Sequence, residues 1–143
     1  MVSVTATYAL RALTELAVLP GRGMLLGKEL SKRAGIPPNY LSKILWSLGG
    51  SGLIEATRGI RGGYRLSRIP EEISLLEVVS LFDKPRTRES CFLFGDQPCS
   101  DREPCSAHEA WREVGAAYAR FLESTTLADI SRRKPLKKRR KMS

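Results

Sequence analysis

The sequence has little of what enzymes and membrane proteins depend on. It contains a single histidine, and it has neither a glycine-rich phosphate loop nor a nucleophile paired with a base, so we expect no catalytic activity. No apolar run approaches the roughly 20 residues that cross a bilayer. The apolar stretch at positions 12–19 contains Glu15 and lacks a signal-peptide cleavage site. We therefore predict a cytoplasmic protein that binds no membrane.

Cysteine is also scarce, and all of it lies in one segment. The three cysteines, Cys91, Cys99 and Cys105, are followed closely by the only histidine, His108, in the spacing C-x7-C-x5-C-x2-H. An odd number of cysteines in a reducing compartment argues against a disulfide framework. Gathered thiolates select zinc or an iron–sulfur cluster, and the intervening glycine, prolines and aspartates indicate a loop that can wrap around an inorganic core. The segment is therefore a candidate metal site.

Other uses of these residues remain open. Four ligands would fit a tetrahedral zinc site, although zinc sites usually pair their ligands more closely than C-x7-C. A metal-free chain could use one cysteine of low pKa as a thiol switch. The cysteines could also be simple packing residues, which the polar character of the loop disfavours.

Charge is distributed unevenly along the chain, whose net charge is +9. Residues 1–68 contain ten Lys or Arg and three acids, residues 69–131 contain six and twelve, and residues 132–143 contain eight and none. A basic first half beside an acidic second half suggests a polyanion as partner of the first half. The basic tail, 132–143, is predicted to be disordered, either as a solubilising end or as a further contact to the DNA backbone.

Periodicity and turn residues predict a mainly α-helical chain. Apolar residues at helical spacing predict helices over 5–19, 27–34, 74–82 and 106–123, with Gly35 capping the second of them. Another helix should begin at 36–39 and end near Leu48, where the glycines of 49–52 break it. Two strands, 53–57 and 63–67, flank a turn rich in Gly and Arg, and Thr126 can cap a last helical turn. Two helices joined by a glycine turn and followed by a hairpin form a winged helix-turn-helix.

Short sequence patterns follow one another in a specific order. They are Tyr8-Ala9-Leu10-Arg11-Ala12-Leu13, Ile36-Pro37-x-x-Tyr40-Leu41-x-Lys43-Ile44-Leu45, Gly52-Leu53-Ile54, Arg58-Gly59-x-x-Gly62-Gly63-Tyr64-x-Leu66-x-Arg68, the three cysteines, Cys105-x-x-His108-x-x-Trp111 and Thr125-Thr126-Leu127-Ala128-Asp129. Together, over residues 3–130, they resemble the Rrf2 family of winged-helix transcription regulators, which includes the IscR and NsrR types. The resemblance implies a DNA-binding domain at 1–83, a cysteine loop for an iron–sulfur cluster at 84–105, and a helix at 106–131 that joins a homodimer.

Two positions bear on the type of cluster. In NsrR-type regulators an N-terminal Asp of the partner subunit can complete a 4Fe–4S site, whereas the matching residue here is Thr7, a poor ligand. His108 matches the 2Fe–2S ligand of the IscR type. The resemblance therefore favours a 2Fe–2S cluster on Cys91, Cys99, Cys105 and His108. The longer gap between the first two cysteines than in well-known cluster-binding members leaves 4Fe–4S, with an external fourth ligand, as the alternative.

DNA contacts are expected on two helices and the hairpin. The N-terminal end of the third helix should enter the major groove, and the start of the second helix can bind a phosphate. An Arg near the tip of the hairpin can enter a narrow minor groove, and Gly59, Gly62 and Gly63 would permit tight turning and close approach to the sugar-phosphate chain. The predicted contacts are Lys28, Pro38, Asn39, Tyr40, Ser42, Lys43, Arg58, Arg61 and Tyr64.

The long helix after the cysteine loop is the candidate dimer seam. Its apolar stripe consists of Trp111, Val114, Tyr118 and Phe121, some of which should also pack against the core of their own chain. A two-fold dimer presents two recognition helices to half-sites roughly 34 Å or more apart, so the double-stranded operator should be an imperfect palindrome.

Overall fold

The computed structural model describes residues 2–83, 91–94 and 100–131. Its element order confirms the predicted mainly α-helical, winged helix-turn-helix architecture. The elements are α1 (Val4–Ala17), α2 (Gly27–Ala34), α3 (Pro38–Gly50), β1 (Ile54–Thr57), β2 (Gly63–Leu66), α4 (Leu75–Phe82), α5 (His108–Ser124) and α6 (Leu127–Ser131), with short 3-10 turns at Pro20–Arg22 and Pro70–Glu72. The two strands pair antiparallel, with Ile54 opposite Leu66 and Thr57 opposite Gly63.

The core is organised around α1, which packs against α2, α3, α4 and α6. Ala6, Ala9 and Ala12 of α1 are completely buried, and such small side chains allow neighbouring helices to approach on several sides. Every other described helix adds buried apolar residues to this core. They include Leu30, Leu48, Val78, Leu122 and Leu127.

Most element boundaries differ from the sequence-based prediction by one or two residues, as at the end of α1, which is Ala17 rather than position 19. The predicted break after Leu48 is wrong, because α3 continues through Gly49 and Gly50 and the Ser51 N–H still donates to the Ser47 carbonyl at 3.1 Å. The helix ends only where Gly52 adopts a φ of +80°. At the other end of the chain, α5 begins at His108 rather than at position 106.

Two predicted helix ends are confirmed. Gly35 ends α2 in the left-handed conformation, with φ of +66°. Thr126 caps α6, since its hydroxyl accepts from the Asp129 N–H while the Asp129 carboxylate accepts from the Thr126 N–H at 2.9 Å. The described parts of the chain contain no helix with the length and apolar character needed to cross a membrane.

Candidate cysteine site and DNA-binding surface

Two of the three predicted cysteine ligands are neighbours in space. The Sγ atoms of Cys91 and Cys105 lie 3.4 Å apart, although fourteen positions separate the residues in sequence. Two thiolates on one tetrahedral metal ion, with metal–sulfur bonds of about 2.3 Å, have sulfur atoms about 3.8 Å apart. The pair therefore fits a shared iron or zinc ion with little adjustment. It also lies within a small movement of the roughly 2.05 Å sulfur–sulfur bond of a disulfide.

The surroundings of Cys91 favour its thiolate form. A hydrogen bond from the backbone of Phe94 lowers the pKa of Cys91 most, and the Cys105 thiol and the backbone of Leu93 lower it further, whereas burial opposes them. Metal ligands and attacking thiols must both be deprotonated. Cys91 is thus suited to either role.

His108 is held by a carboxylate. Its Nε2 lies 3.0 Å from Asp101 Oδ1, and Arg112 Nη1 donates to the same oxygen at 2.9 Å. His108 as a whole residue is only 7 % exposed, and its backbone N–H donates to the Cys105 carbonyl at 3.1 Å. In a carboxylate–histidine–metal arrangement the second ring nitrogen, here Nδ1, is the ligand. Coordination through Nε2 would require Asp101 to move away.

The complete predicted ligand set cannot be assembled from these residues alone. Cys99 lies outside the described residues. Within the described ranges, no group of three or more His, Cys, Asp and Glu side chains is arranged to hold a metal ion. The sequence analysis did not predict the contacts of Asp101 with His108 and Arg112, although Arg112 stands one helical turn after His108, a spacing that puts both on one helix face.

Both ends of the cysteine segment are attached to helices. Asp83, which ends α4 just before the segment, accepts a hydrogen bond from the Ser3 N–H at the start of α1 at 3.0 Å. At the other end, Cys105 contacts the first turn of α5 through His108. Thr7, the residue in the place of the NsrR-type Asp, donates its hydroxyl to the Ser3 carbonyl at 3.0 Å.

The residues of α2 and α3 that were predicted to contact DNA lie on the protein surface. Lys28, Pro38, Asn39, Tyr40, Ser42 and Lys43 are all exposed. Two of them also have partners within the chain: the Ser42 hydroxyl donates to the Pro38 carbonyl at 3.0 Å, and the ring of Tyr40 meets that of Tyr8 edge-on at 6.4 Å. Contact with DNA stays a prediction for each of them.

The arginines of the hairpin differ in their surroundings. Arg58 and Arg61 are exposed in the turn between the strands. Arg65, on β2, instead forms an ion pair with Glu55 on β1 at 2.8 Å, which offsets its charge. Arg58 and Arg61 are therefore the better candidates for a minor-groove contact.

Two of the three hairpin glycines, Gly62 and Gly63, serve the protein's own packing. A Cβ on Gly63, whose φ is +146°, would lie 2.6 Å from the Leu25 carbonyl oxygen, and one on Gly62 would lie 2.1 Å from the Thr57 carbonyl oxygen. At Gly62 and Gly63 the backbone that approaches closely belongs to the chain itself, whereas Gly59 has open space around it and its approach to DNA stays a prediction. Tyr64 is half-buried, and its N–H and carbonyl pair with Leu25 at 2.8 and 3.1 Å, which fixes the hairpin to the segment before α2.

The four predicted interface residues of α5 divide into two pairs. Trp111 and Tyr118 are half-buried, with Tyr118 against the core and Trp111 against the ring of Phe92 at 5.2 Å. Val114 and Phe121 are 48 % and 51 % exposed. The sequence analysis overlooked the three exposed apolar residues that directly follow Cys91. They are Phe92, Leu93 and Phe94.

Comparison with known proteins agrees with this architecture. Residues 2–133 match the model of a family described as Rrf2, iron-dependent transcriptional regulator. The chain is 34 % identical to the HTH-type transcriptional regulator NsrR of Halalkalibacterium halodurans over 123 residues, covering 86 % of this chain and 84 % of that protein. It is 30 % identical to IscR of Aliivibrio salmonicida, covering 86 % of this chain and 72 % of that protein.

A solved structure is also similar. CymR (YrzC), the global cysteine regulator of B. subtilis, superimposes with a TM-score of 0.76 at 26 % identity, covering 92 % of this chain and 95 % of that one. The family and these relatives are transcriptional regulators, which confirms the prediction that the chain is not an enzyme. A winged helix-turn-helix, a family match over nearly the whole chain and relatives at 30 % identity or more together show that the chain belongs to the Rrf2 family of transcriptional regulators.

Proposed function

We propose that the chain is a cytoplasmic, homodimeric DNA-binding regulator that senses iron–sulfur status, redox state or nitric oxide through a cluster in its cysteine loop. The observation that carries this proposal is the 3.4 Å separation of the Cys91 and Cys105 sulfur atoms, close to that of two thiolates on one iron. The description of the family as iron-dependent and the similarity to IscR and NsrR support the same chemistry.

The proposed ligands are Cys91, Cys99, Cys105 and, in the favoured 2Fe–2S form, His108. A bound cluster would supply reversible one-electron chemistry and a site of attack for oxygen or nitric oxide. Asp101 would orient the imidazole of His108, and the backbone of Phe94 would stabilise the thiolate of Cys91. The Thr7 hydroxyl is already hydrogen-bonded to the Ser3 carbonyl, which supports a 2Fe–2S cluster over a 4Fe–4S cluster that takes its fourth ligand from this position of the partner subunit. A 4Fe–4S cluster with an external fourth ligand is the alternative.

Cluster binding at the loop would affect the positions of α1 and α5, because the two ends of the loop are bonded to these helices. Asp83 connects the loop to the start of α1, and Cys105 connects it to the start of α5. Ordering or releasing the loop would shift the population of dimer geometries, and hence the spacing of the two DNA-binding surfaces.

The dimer seam in this proposal is the apolar surface that the single chain leaves open. It combines Val114 and Phe121 of α5 with Phe92, Leu93 and Phe94 after the first cysteine, all of them exposed. Phe92 contacts Trp111 of α5, which brings the two segments together, and exposed apolar side chains in such numbers are typical of an interaction site. Two-fold pairing through it would place two copies of α3 and of the hairpin on an imperfectly palindromic duplex.

The test is the composition of protein purified without oxygen. A brown protein with iron and sulfide near two per chain would support 2Fe–2S, and values near four would favour 4Fe–4S and remove His108 from the ligands. One zinc per chain in a colourless protein would contradict the sensor. Cys99→Ala should lose iron and colour, whereas Thr7→Ala, the control, should retain both. Retained iron in Cys99→Ala would refute the ligand assignment.

A second candidate, a metal-free thiol switch, uses the same observation. Cys91 and Cys105 are close enough to form a disulfide after a small movement, and the lowered pKa of Cys91 favours the attacking thiolate. The structural similarity to a cysteine regulator is in line with it. The thiol switch would be preferred to the cluster sensor if two results are obtained. The protein could not be reconstituted with iron and sulfide, and diamide would form a Cys91–Cys105 disulfide that changes DNA affinity reversibly.

A further inference from the structure

Trp46 is the most exposed large apolar side chain on the described helices. It is 83 % exposed, although the remaining apolar residues of the second half of α3 are buried. A single exposed apolar residue needs no explanation in itself. The position of Trp46 on α3, however, connects it with residues that already have a proposed partner.

Trp46 lies in the middle of the outer face of α3. Asn39, Lys43, Trp46 and Gly50 recur at alternating intervals of four and three residues, so they form one stripe along the helix. The opposite face is buried in the core through Leu41, Ile44, Leu45 and Leu48. Any molecule that lies along Asn39 and Lys43 and continues toward the end of α3 must therefore meet the indole ring.

The two glycines beside Trp46 have no internal reason to lack side chains. A Cβ on Gly49 or Gly50 would meet no heavy atom within 4 Å, and neither residue has a positive φ. Glycine inside a helix lowers helix stability relative to alanine. A bare backbone at this end of α3 instead allows an outside molecule to approach closely.

We propose that Trp46 contacts the DNA backbone, with its indole ring against a deoxyribose at the wall of the major groove and its Nε1–H donating to a phosphate oxygen. Gly49 and Gly50 would let the end of α3 lie close to that strand. This inference rests on the proposed role of α3 as the recognition helix.

Distance and charge favour the backbone over the bases. Trp46 follows Asn39 by seven residues, about 10 Å along a helix axis at 1.5 Å per residue. In a groove about 12 Å wide that α3 enters with its N-terminal end, such a displacement reaches the groove wall. The indole N–H is a donor only, which matches phosphate oxygens, and the excess of Lys and Arg over residues 1–68 attracts the same polyanion.

The experiment measures affinity against salt concentration for two duplexes. One is an operator selected in vitro from random-sequence duplexes, and the other is a scrambled duplex of the same length. Trp46→Ala should weaken binding to both on the order of tenfold, because backbone contacts position without reading sequence. The slope of affinity against salt should not change, since a neutral side chain releases no counterion, whereas Lys43→Ala should reduce the slope by about one.

Controls separate a local contact from other effects. Ile69→Ala removes an exposed apolar side chain outside α3 and the hairpin and should bind DNA normally. Trp46→Phe should recover part of the affinity, because it keeps a ring and loses the donor. The chain has two tryptophans, so Trp111→Phe leaves Trp46 as the only indole, and its fluorescence should shift to shorter wavelength when duplex is added.

Three results would overturn the inference. If Trp46→Ala binds both duplexes with unchanged affinity, Trp46 does not contact DNA. The same conclusion would follow if the fluorescence of Trp46 did not change on saturation with DNA. A loss limited to the selected operator, and reproduced by replacing thymine with uracil, would mean that the ring meets a thymine methyl group. If Asn39→Ala and Lys43→Ala also bind normally, the placement of α3 on DNA itself is wrong.

Discussion

Replacing Gly63 by alanine would test how the hairpin is fixed to the rest of the DNA-binding domain. An added Cβ would lie 2.6 Å from the carbonyl oxygen and 2.8 Å from the carbonyl carbon of Leu25, both rigid backbone atoms. The backbone at Gly63 also has a φ of +146°, which side-chain-bearing residues rarely adopt. The hairpin must then move away from Leu25, and the two hydrogen bonds between Tyr64 and Leu25 would break.

The cost can be estimated from these two effects. Backbone strain at such a φ is of order 1–3 kcal/mol. Two lost hydrogen bonds add about 0.5–1.5 kcal/mol each. Gly63→Ala should therefore lower the free energy of unfolding by about 2–6 kcal/mol, measured by urea denaturation, a large share of the stability of an ordinary domain. DNA affinity should fall as well, because Arg58 and Arg61 would no longer be held in position.

Gly59→Ala is the matched control. Gly59 also has a positive φ, of +113°, but a Cβ there would meet no heavy atom within 4 Å. Gly59→Ala should therefore lower the free energy of unfolding only by the backbone strain, and it should leave the hydrogen bonds between Tyr64 and Leu25 intact. Equal destabilisation by the two substitutions would refute the assignment of Gly63 to close packing against Leu25.

Three further results are expected. Phe121→Glu places a charge on the apolar stripe and should weaken the dimer by about 2 kcal/mol or more in sedimentation equilibrium, whereas Arg120→Glu, the control, should leave it intact. The rate of alkylation of Cys91 in metal-free folded protein should reach half its maximum at a lower pH than in urea-unfolded protein, because the folded chain lowers the pKa of Cys91. The contribution of this thiolate to the free energy of unfolding is complete above the pKa of the unfolded state, and it is lost as the pH falls through the pKa of the folded state. An equal midpoint would contradict the hydrogen bonding at Cys91. Asp101→Asn should make chelators remove iron roughly 10- to 100-fold faster by loosening His108, and an unchanged rate would show that Asp101 does not support a ligand.

The helices and the hairpin were predictable because each has a local pattern, namely apolar spacing, a cap or a glycine turn. The end of α3 was not, since glycine in a helix costs only about 1 kcal/mol and the burial of Leu45 and Leu48 outweighs that cost. For Gly63 the sequence predicted a tight turn and a close approach to DNA. The positive φ agrees with the turn, but the close neighbour is the backbone of Leu25, which no local pattern could identify.

The cysteine site was predictable in part for a similar reason. Residue type and spacing predicted a loop that carries metal ligands, and the chain does bring two of the predicted ligands, Cys91 and Cys105, together. The contact between Asp101 and His108 depends on how that loop turns, which no periodic pattern encodes. Trp46 was overlooked because an apolar residue in a helix is usually core, and only its position on the outer face shows otherwise.

The geometry of the cysteine segment also bears on how one fold could serve several signals. Sulfur atoms 3.4 Å apart are compatible with an iron ion, a zinc ion or a disulfide, and each of these would hold Cys91 against Cys105. The cysteine segment as a whole is preceded by Asp83, which bonds to the start of α1, and it ends at Cys105, whose carbonyl accepts from His108 in the first turn of α5. The response would therefore depend on whether Cys91 and Cys105 are held together, whereas the chemistry that joins them would determine only which signal releases them.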